Sequence, residues 1–207
     1  MLPPGAPEFS VWFRQFRRSC FRLETLQCYR GSGEDDSIRA FFAGQTPQPH
    51  PGKQGWMALV GAATRDGRTM QRVHVVTEPL TDYLRFEVVW SYAPSVAAGE
   101  DVRIIPLAEG EAWPADVPRS DFWLFDDTEL FGMRYDADGT WLGIAHLTDP
   151  GAALVACQQR GAALRLAQTW ATYVSERPEL VQRVPTAQWP GLVPNPGLYP
   201  GPAGAAW

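Results

Sequence analysis

The order of apolar and polar positions along the chain predicts alternating helices and strands. Apolar residues spaced three and four apart indicate helices, and short β-branched or aromatic runs indicate strands. Predicted helices cover residues 8–18, 37–43, 56–65, 79–92 and 150–176. Predicted strands cover residues 20–29, 72–77, 101–106, 121–125, 129–135 and 141–147, and Asp136 to Gly139 predict a hairpin turn between the last two.

The centre of the chain shows the clearest pattern. A strand, a helix and a second strand follow one another between residues 72 and 106, which predicts a right-handed crossover joining two parallel strands. Pro79 suits the first turn of that helix, and Pro94 is expected to end it. The whole order indicates an α/β or α+β fold, with a mixed sheet of about five to six strands flanked by helices.

The distribution of Pro and Gly divides the chain into three parts. Residues 1–8 form a Pro/Gly-rich leader, residues 9–184 a single domain, and residues 185–207 a tail of Gly/Pro-spaced bends that predicts extended structure. A chain of 207 residues is long enough for one ordinary domain with extra termini.

Charge and apolar content narrow the class of protein. A net charge of −5 disfavours nucleic-acid binding, although Arg14, Arg17, Arg18 and Arg22 offer a small basic stripe. There is no apolar run long enough to cross a membrane and no signal-peptide pattern, so a cytoplasmic protein is expected. The three cysteines form no Cys-x-x-Cys or Cys/His pair, so neither a metal nor a cofactor is predicted.

A polar cluster follows the strand at 72–77, and ligands in open α/β sheets bind beyond the carboxyl ends of strands. The candidate ligand-binding residues are Arg72, Glu78, Asp82, Tyr83, Arg85 and Asp126. An alternative is helix capping, in which Thr77 caps the next helix and the acidic residues complement its dipole.

Three residues are candidates for catalysis: Asp126, His146 and Glu78. Asp126 and Asp127 are paired carboxylates suited to acid–base chemistry, but adjacent carboxylates at a strand end also form turns. His146 and Asp126 could act as a base and its orienting group, whereas a hairpin histidine bonded to a carbonyl is the alternative. His74, in mid-strand, is typical of a buried and hydrogen-bonded histidine.

The segments Arg72–Glu87, Ala98–Arg103 and Asp121–Asp126 resemble an actinobacterial family of unknown function. The resemblance spans residues 9–175. Members of that family are typically encoded beside helix-turn-helix regulators, which implies a regulatory partnership and no defined activity.

A more distant similarity links the chain to one half of a phospholipase D-type domain. That superfamily carries His-x-Lys-x-x-x-x-Asp, where this chain has Arg119, Asp121 and Asp126, and a Gly-Ser-x-Asn element, where this chain has Gly143 to His146. The nucleophilic histidine and the phosphate-binding lysine are missing. The similarity therefore implies a degenerate binding or dimerising domain, because no phosphohistidine can form.

These observations favour a cytoplasmic, non-catalytic module for ligand sensing or protein interaction, with a helix-turn-helix regulator, another protein or a second copy as partner. The alternative is a small-molecule enzyme of specialised metabolism. Its polar cleft would be formed by Arg72, Glu78, Tyr83, Arg85, Asp126 and His146.

Overall fold

The computed structural model describes residues 1–31, 33–45 and 51–182. The helices are α1 Pro7–Ser10, α2 Trp12–Gln15, α3 Asp35–Phe42, α4 Pro51–Arg65, α5 Asp82–Phe86, α6 Tyr92–Ala98, α7 Pro150–Leu166, α8 Trp170–Ser175 and α9 Glu179–Gln182, with a π-helical turn at Glu87–Ser91. The strands are β1 Ser19–Glu24, β2 Thr69–Thr77, β3 Asp101–Leu107, β4 Phe122–Phe125, β5 Glu129–Tyr135, β6 Trp141–Leu147 and β7 Gln168–Thr169.

The strands form one mixed sheet in the order β6-β5-β4-β1-β2-β3-β7. β1, β2 and β3 are parallel, and the remaining pairs are antiparallel. The predicted mixed α/β fold and the parallel crossover from β2 to β3 are confirmed. The seventh strand was not predicted, because β7 is only two residues long and lies within the segment whose pattern predicted one helix over 150–176.

That long helix is wrong beyond Leu166. Ala167 has extended backbone angles, and the Thr169 hydroxyl accepts a hydrogen bond from the Thr172 N–H, which caps a new helix. A threonine that caps a helix has non-helical backbone angles of its own. The chain therefore breaks before α8, and the break forms β7.

The predicted helix at 79–92 is also corrected. It begins at Asp82, because Thr81, rather than Thr77, is the N-cap and accepts a hydrogen bond from the Leu84 N–H. Pro94 does not end it, since the helical path continues through the π-helical turn and α6 to Ala98. Pro94 lacks the N–H that an α-helix interior uses, and the hydrogen-bond pattern changes directly before it.

Three further boundaries differ from the prediction. The helix predicted at 8–18 is two short helices, and the backbone is extended at Phe16. The strand predicted at 20–29 ends at Glu24. α4 begins at Pro51 rather than at residue 56, and proline is favoured in the first turn of a helix.

Apolar side chains cover both faces of the sheet. α7 packs against one face over a core that includes Phe21, Leu23 and Val73. The other face carries two separate clusters, one around Phe13 and Phe125 and the other around Leu84 and Ile104. The region between these two clusters holds the polar site described below.

The first residues of the chain contact the sheet, although the sequence predicts a separate leader there. Leu2 exchanges backbone hydrogen bonds with Ile144 of the edge strand β6, so part of the predicted leader pairs with the sheet. The predicted tail at 185–207 lies outside the described residues. Among the helices of the described segments, none is long and apolar enough to cross a membrane.

The predicted hairpin turn between β5 and β6 is confirmed. The Asp136 carboxylate accepts the N–H groups of Asp138 and Thr140, and Gly139 has φ = +81°. A Cβ at Gly139 would overlap the carbonyl oxygen of Cys28, which passes against the turn. This glycine is therefore required both by its backbone angle and by a close approach.

We expect Gly139→Ala to lower the free energy of unfolding by about 2–3 kcal/mol, measured by urea denaturation. Gly110→Ala is the matched control, because Gly110 has φ = +79° and open space around its Cα. That control should cost only the left-handed backbone strain of about 1–2 kcal/mol. Equal losses in the two variants would mean that the approach of Cys28 has no energetic role.

Candidate functional site

Charged side chains occupy the sheet face between the two apolar clusters. Alternation along β1 places Arg22 and Glu24 on this face, and alternation along β2 places Arg72 and His74 there. The parallel register sets Arg22 beside Arg72 and Glu24 beside His74. All four residues are buried or nearly so, and a buried charge is tolerated only when it is paired.

Carboxylates from three parts of the chain pair the two arginines. Arg22 Nη2 lies 2.7 Å from Asp121 Oδ2, and Arg72 Nη1 lies 2.7 Å from Glu24 Oε2. Arg72 Nε also binds Glu100 at 2.9 Å. Burial would raise the pKa of Glu24, but Arg72 and Arg22 outweigh it and lower that pKa to about 2.

Asp121 is the most heavily bonded of these carboxylates. Besides Arg22, it accepts hydrogen bonds from the Thr25 N–H at 2.9 Å, the Thr25 hydroxyl at 2.7 Å and the Tyr29 hydroxyl at 2.6 Å. Both oxygens are thus fully engaged. Asp121 fixes the segment after β1 against the start of β4.

His74 is neutral. Its Nε2 lies 2.8 Å from the Leu26 carbonyl oxygen, which can only accept, so Nε2 carries the proton. Its Nδ1 then accepts from the Tyr92 hydroxyl at 2.6 Å. Burial lowers the pKa of His74, in agreement with this state. The prediction of a buried, hydrogen-bonded histidine is confirmed.

Glu87, at the start of the π-helical turn, is a buried carboxyl of a different kind. Burial raises its pKa to about 8, and the negative charges of Glu34 and Glu24 act in the same direction. Lys53 and Arg72 oppose this shift without cancelling it. Glu87 is therefore largely protonated at neutral pH and can donate a hydrogen bond.

A cavity of about 210 Å³ opens beside these groups. Aromatic and charged side chains share its wall. The lining includes Phe9, Phe13, Tyr29, Trp56, Tyr83, Tyr92, Trp123, Tyr135 and Trp141, together with Arg22, Glu24, Arg30, Glu34, Lys53, Arg72 and Glu87. A concave aromatic pocket with a few polar groups is typical of a small-molecule site.

The guanidinium group of Arg22 in the cavity wall has an unsatisfied donor. Arg22 is 3% exposed, and its Nη1 has no hydrogen-bond partner among the described residues. A buried N–H without an acceptor costs about 1–3 kcal/mol, and more when the group is charged. The site therefore has a hydrogen-bond donor that no residue in the described part of the chain uses.

Glu24, His74 and Glu87 also place three ligand-type atoms within 4.8 Å of one another. A metal ion there would have to displace Arg72 from Glu24 and a partner from His74, beside two guanidinium cations. Burial and the charges of Glu34 and Glu24 raise the pKa of Glu87, so its carboxyl holds a proton at neutral pH. These three side chains are therefore better suited to hold a proton than to bind a metal cation.

The structure brings together only two of the predicted ligand-binding residues, Arg72 and Tyr83, both in the cavity wall. Glu78 instead binds the Tyr173 hydroxyl at 2.8 Å and Arg177 Nε at 2.6 Å. It joins the end of β2 to α8 and the residues after it.

Asp82 and Arg85 lie one helical turn apart in α5, and their charged groups are 3.8 Å from each other. The acidic residue in the first turn of α5 matches the capping alternative. Neither residue is part of the cavity wall.

Asp126 lies in a turn and binds backbone N–H groups. It and Asp127 both have positive φ and form the turn between β4 and β5, as the turn alternative states. The Asp126 carboxylate accepts the backbone N–H groups of Arg17, Arg18 and Ser19 at 2.7, 2.7 and 3.1 Å. These bonds lower its pKa against the effect of burial, and they end the helical path before β1.

His146 lies on β6, where its Nε2 is 3.0 Å from Glu129 Oε2 and its ring stacks on Phe131 at 4.3 Å. Its partner is thus a carboxylate on the neighbouring strand, rather than Asp126 or a carbonyl. The predicted pairing of His146 with Asp126 does not form.

The basic stripe is corrected as well. Arg22 is a buried member of the cavity wall, and α2 ends at Gln15, so Arg17 and Arg18 lie beyond the helix. The four arginines therefore do not share one helix face.

Sequence reasoning did not place Arg22, Glu24, Glu87 and Asp121 in this site, although it named Arg22 in a basic stripe and Asp121 in the phospholipase D-type similarity. The available signal was the charged pair Arg22 and Glu24 at alternate positions of an apolar strand, facing Arg72 and His74 on the next parallel strand. Such alternation usually indicates a solvated face. Here distant helices cover that face.

A family model described as a domain of unknown function, DUF6879, matches residues 7–175. The match covers most of the chain, so the protein belongs to this family. None of the curated proteins compared with the chain matches it.

Proposed function

We propose that this member of the DUF6879 family is a non-catalytic ligand-sensing module, with its ligand held in the cavity beside Arg22 and Arg72. The observation that carries the proposal is Nη1 of Arg22, which belongs to the cavity wall and has no hydrogen-bond partner among the residues that the structure describes. A ligand atom that accepts from this N–H would recover the cost of its burial. The cavity volume suits a small metabolite rather than a nucleotide or a peptide.

The surroundings of Arg22 are prearranged for binding. Its Nη2 is fixed by Asp121 and by the Tyr135 hydroxyl at 3.0 Å, and its guanidinium lies 5.4 Å from the Trp123 ring centre. A donor whose side chain is already immobile loses little entropy when a ligand binds. The polar groups thus act as a rigid frame for recognition.

If the chain is similar to a phospholipase D-type domain, Asp121 is an argument against catalysis. It stands where the superfamily has its phosphate-binding lysine, and all its oxygens are engaged by donors of this chain. A carboxylate at that position would repel a phosphate. We also propose a cytoplasmic location, which the three free cysteines support. The proposed partner is a helix-turn-helix regulator or a second copy of the chain, and this part rests on the family resemblance.

A small-molecule enzyme is the second candidate, and Glu87 is the observation that favours it. A buried carboxyl with a pKa of about 8 can act as a general acid near neutral pH. The enzyme would use Glu87 with Arg72 and Tyr83. It would change its bound compound chemically, whereas a sensing module would release that compound unaltered.

The test is a thermal-shift and calorimetric screen with small aromatic probes such as benzamide, nicotinamide, benzoate and indole. At a concentration of 100 times Kd, a bound probe should stabilise by about 2.7 kcal/mol and raise Tm by about 5–10 °C. Arg22→Lys, which shortens the donor, and Met133→Phe, which fills part of the cavity, should each weaken binding at least tenfold.

Arg165→Lys is the matched control, because Arg165 is exposed on α7, and it should bind as the wild type does. Equal affinity in the wild type, Arg22→Lys and Met133→Phe would place the probe elsewhere and overturn the proposal. NMR of the incubated probe separates the two candidates, since product formation would favour the enzyme.

A further inference from the structure

The geometry points to a chemical class for the ligand: a neutral, planar molecule whose carbonyl oxygen accepts from Arg22 Nη1, in preference to the corresponding carboxylate. This inference rests on the proposed function, because it concerns the same cavity. Three features of the wall carry it: the charge balance, the aromatic faces and the unused hydrogen bond of Arg22.

The charge balance opposes an anionic ligand. Arg22 and Arg72 are together paired with three carboxylates, those of Glu24, Glu100 and Asp121. The guanidinium charges are therefore already more than neutralised within the cluster. A further carboxylate would lose its hydration and meet fixed negative charges at short range.

The rest of the polar wall brings the cluster to balance, because Lys53 and Arg30 add two cations and Glu34 adds one ionised carboxylate. Lys53 Nζ donates to the hydroxyls of Ser91 and Ser95 at 3.1 and 2.9 Å, and the Ser91 hydroxyl donates to Glu34 at 3.2 Å. One ammonium is thus linked to one carboxylate. Glu87, protonated at neutral pH, contributes neither a negative charge nor an attraction for a cation.

The unused bond opposes a cationic ligand. Arg22 Nη1 is a donor and has no capacity to accept, so an ammonium or guanidinium ligand would leave it unsatisfied. The aromatic rings that could attract a cationic ligand already contact a cation of the protein. Arg22 lies 5.4 Å from the ring centre of Trp123, and Arg72 lies 6.0 Å from the ring centre of Trp56. A neutral acceptor satisfies the donor without adding charge.

The aromatic wall favours a flat molecule. Trp56 and Trp123 have ring centres 5.9 Å apart with planes at 66°, and Phe13 packs edge-on against both of them. Rings held by one another in this way present fixed faces and edges to the cavity. A planar ring can contact those faces and edges while its carbonyl reaches Arg22.

The experiment compares matched pairs that differ only in charge, namely nicotinamide with nicotinate and benzamide with benzoate. Calorimetry on the full chain at pH 7 should show each amide binding at least tenfold more tightly than its acid. Toluene, which has the ring without an acceptor, should bind at least tenfold more weakly than benzamide. Arg22→Lys should reduce the advantage of benzamide over toluene, and Met133→Phe should weaken all probes alike.

Each outcome has a defined meaning. Acids that bind as tightly as the amides would overturn the inference while leaving the proposed function in place, provided that Met133→Phe weakens them. Toluene binding as well as benzamide would also overturn it, because the acceptor would then be irrelevant. If no probe binds the wild type at millimolar concentration, the proposed function fails together with the inference.

Discussion

Replacing Asp121 with alanine should lower the free energy of unfolding by about 3–5 kcal/mol, which is the typical cost of removing one partner from a buried ion pair. The substitution removes the acceptor of Arg22 Nη2, of both donors of Thr25 and of the Tyr29 hydroxyl. Arg22 would then have Glu24 as its remaining carboxylate partner, at 3.5 Å. Urea denaturation followed by tryptophan fluorescence measures the loss.

Two further variants make this prediction testable. Asp121→Asn retains the shape and one acceptor oxygen, so it should lose less than alanine and stay folded if alanine unfolds the chain. Asp116→Ala is the control, because Asp116 is exposed and should change stability by no more than about 0.5 kcal/mol. A loss of less than about 1 kcal/mol in Asp121→Ala would show that the buried network contributes little to folding.

The sequence was sufficient for those parts of the fold that depend on local pattern. β5 and β6 have the predicted bounds, and the turn after Asp136 forms as expected, because alternation and turn residues act over a few positions. The parallel crossover was also predictable, since a short strand, a helix and a second short strand allow few other arrangements.

The helix boundaries that failed depend on contacts between distant segments. The carboxylate of Asp126 binds N–H groups more than a hundred positions away, and this interaction separates α2 from β1. Thr169 caps α8 at a point where the apolar pattern runs on unbroken. The spacing of apolar residues along the chain does not reveal such contacts.

The candidate site was only partly predictable for the same reason. Tyr83 was found because it follows the carboxyl end of β2, where ligands commonly bind, and Arg72 because it belongs to the same polar cluster in the sequence. Arg22 and Glu24 have the alternation of a solvated strand face, and only α3 to α6, folded over that face, make them buried charges. Burial set by distant elements determines their chemistry.

Glu87→Gln should make the protein more stable at pH 8 while leaving it almost unchanged at pH 4. The pKa of Glu87 rises from 4.5 to about 8 on folding, because burial and the charges of Glu34 and Glu24 disfavour its ionised form. The folded state therefore holds a proton that the unfolded state releases as the pH rises above 4.5. Stability falls by about 1.4 kcal/mol per pH unit until the pH reaches the folded pKa.

The amide introduced by Glu87→Gln would not ionise, so the variant should lack this fall. Its advantage over the wild type should increase from near zero at pH 4 to about 4 kcal/mol at pH 8. The window from pH 6.5 to 8.5 isolates the effect from two others. The lowered pKa of His74 affects stability only below about 6.5, and the raised pKa values of Cys20 and Tyr92 affect it only near or above 9.

Urea denaturation of the wild type, Glu87→Gln and the exposed control Glu109→Gln at half-unit pH intervals measures this slope. The control should follow the wild type at every pH, because its carboxyl stays in water in both states. Parallel pH profiles for the wild type and Glu87→Gln would show that Glu87 ionises normally in the folded protein. Such a result would also remove the second candidate function, since a carboxyl that is ionised at neutral pH has no proton to give to a substrate.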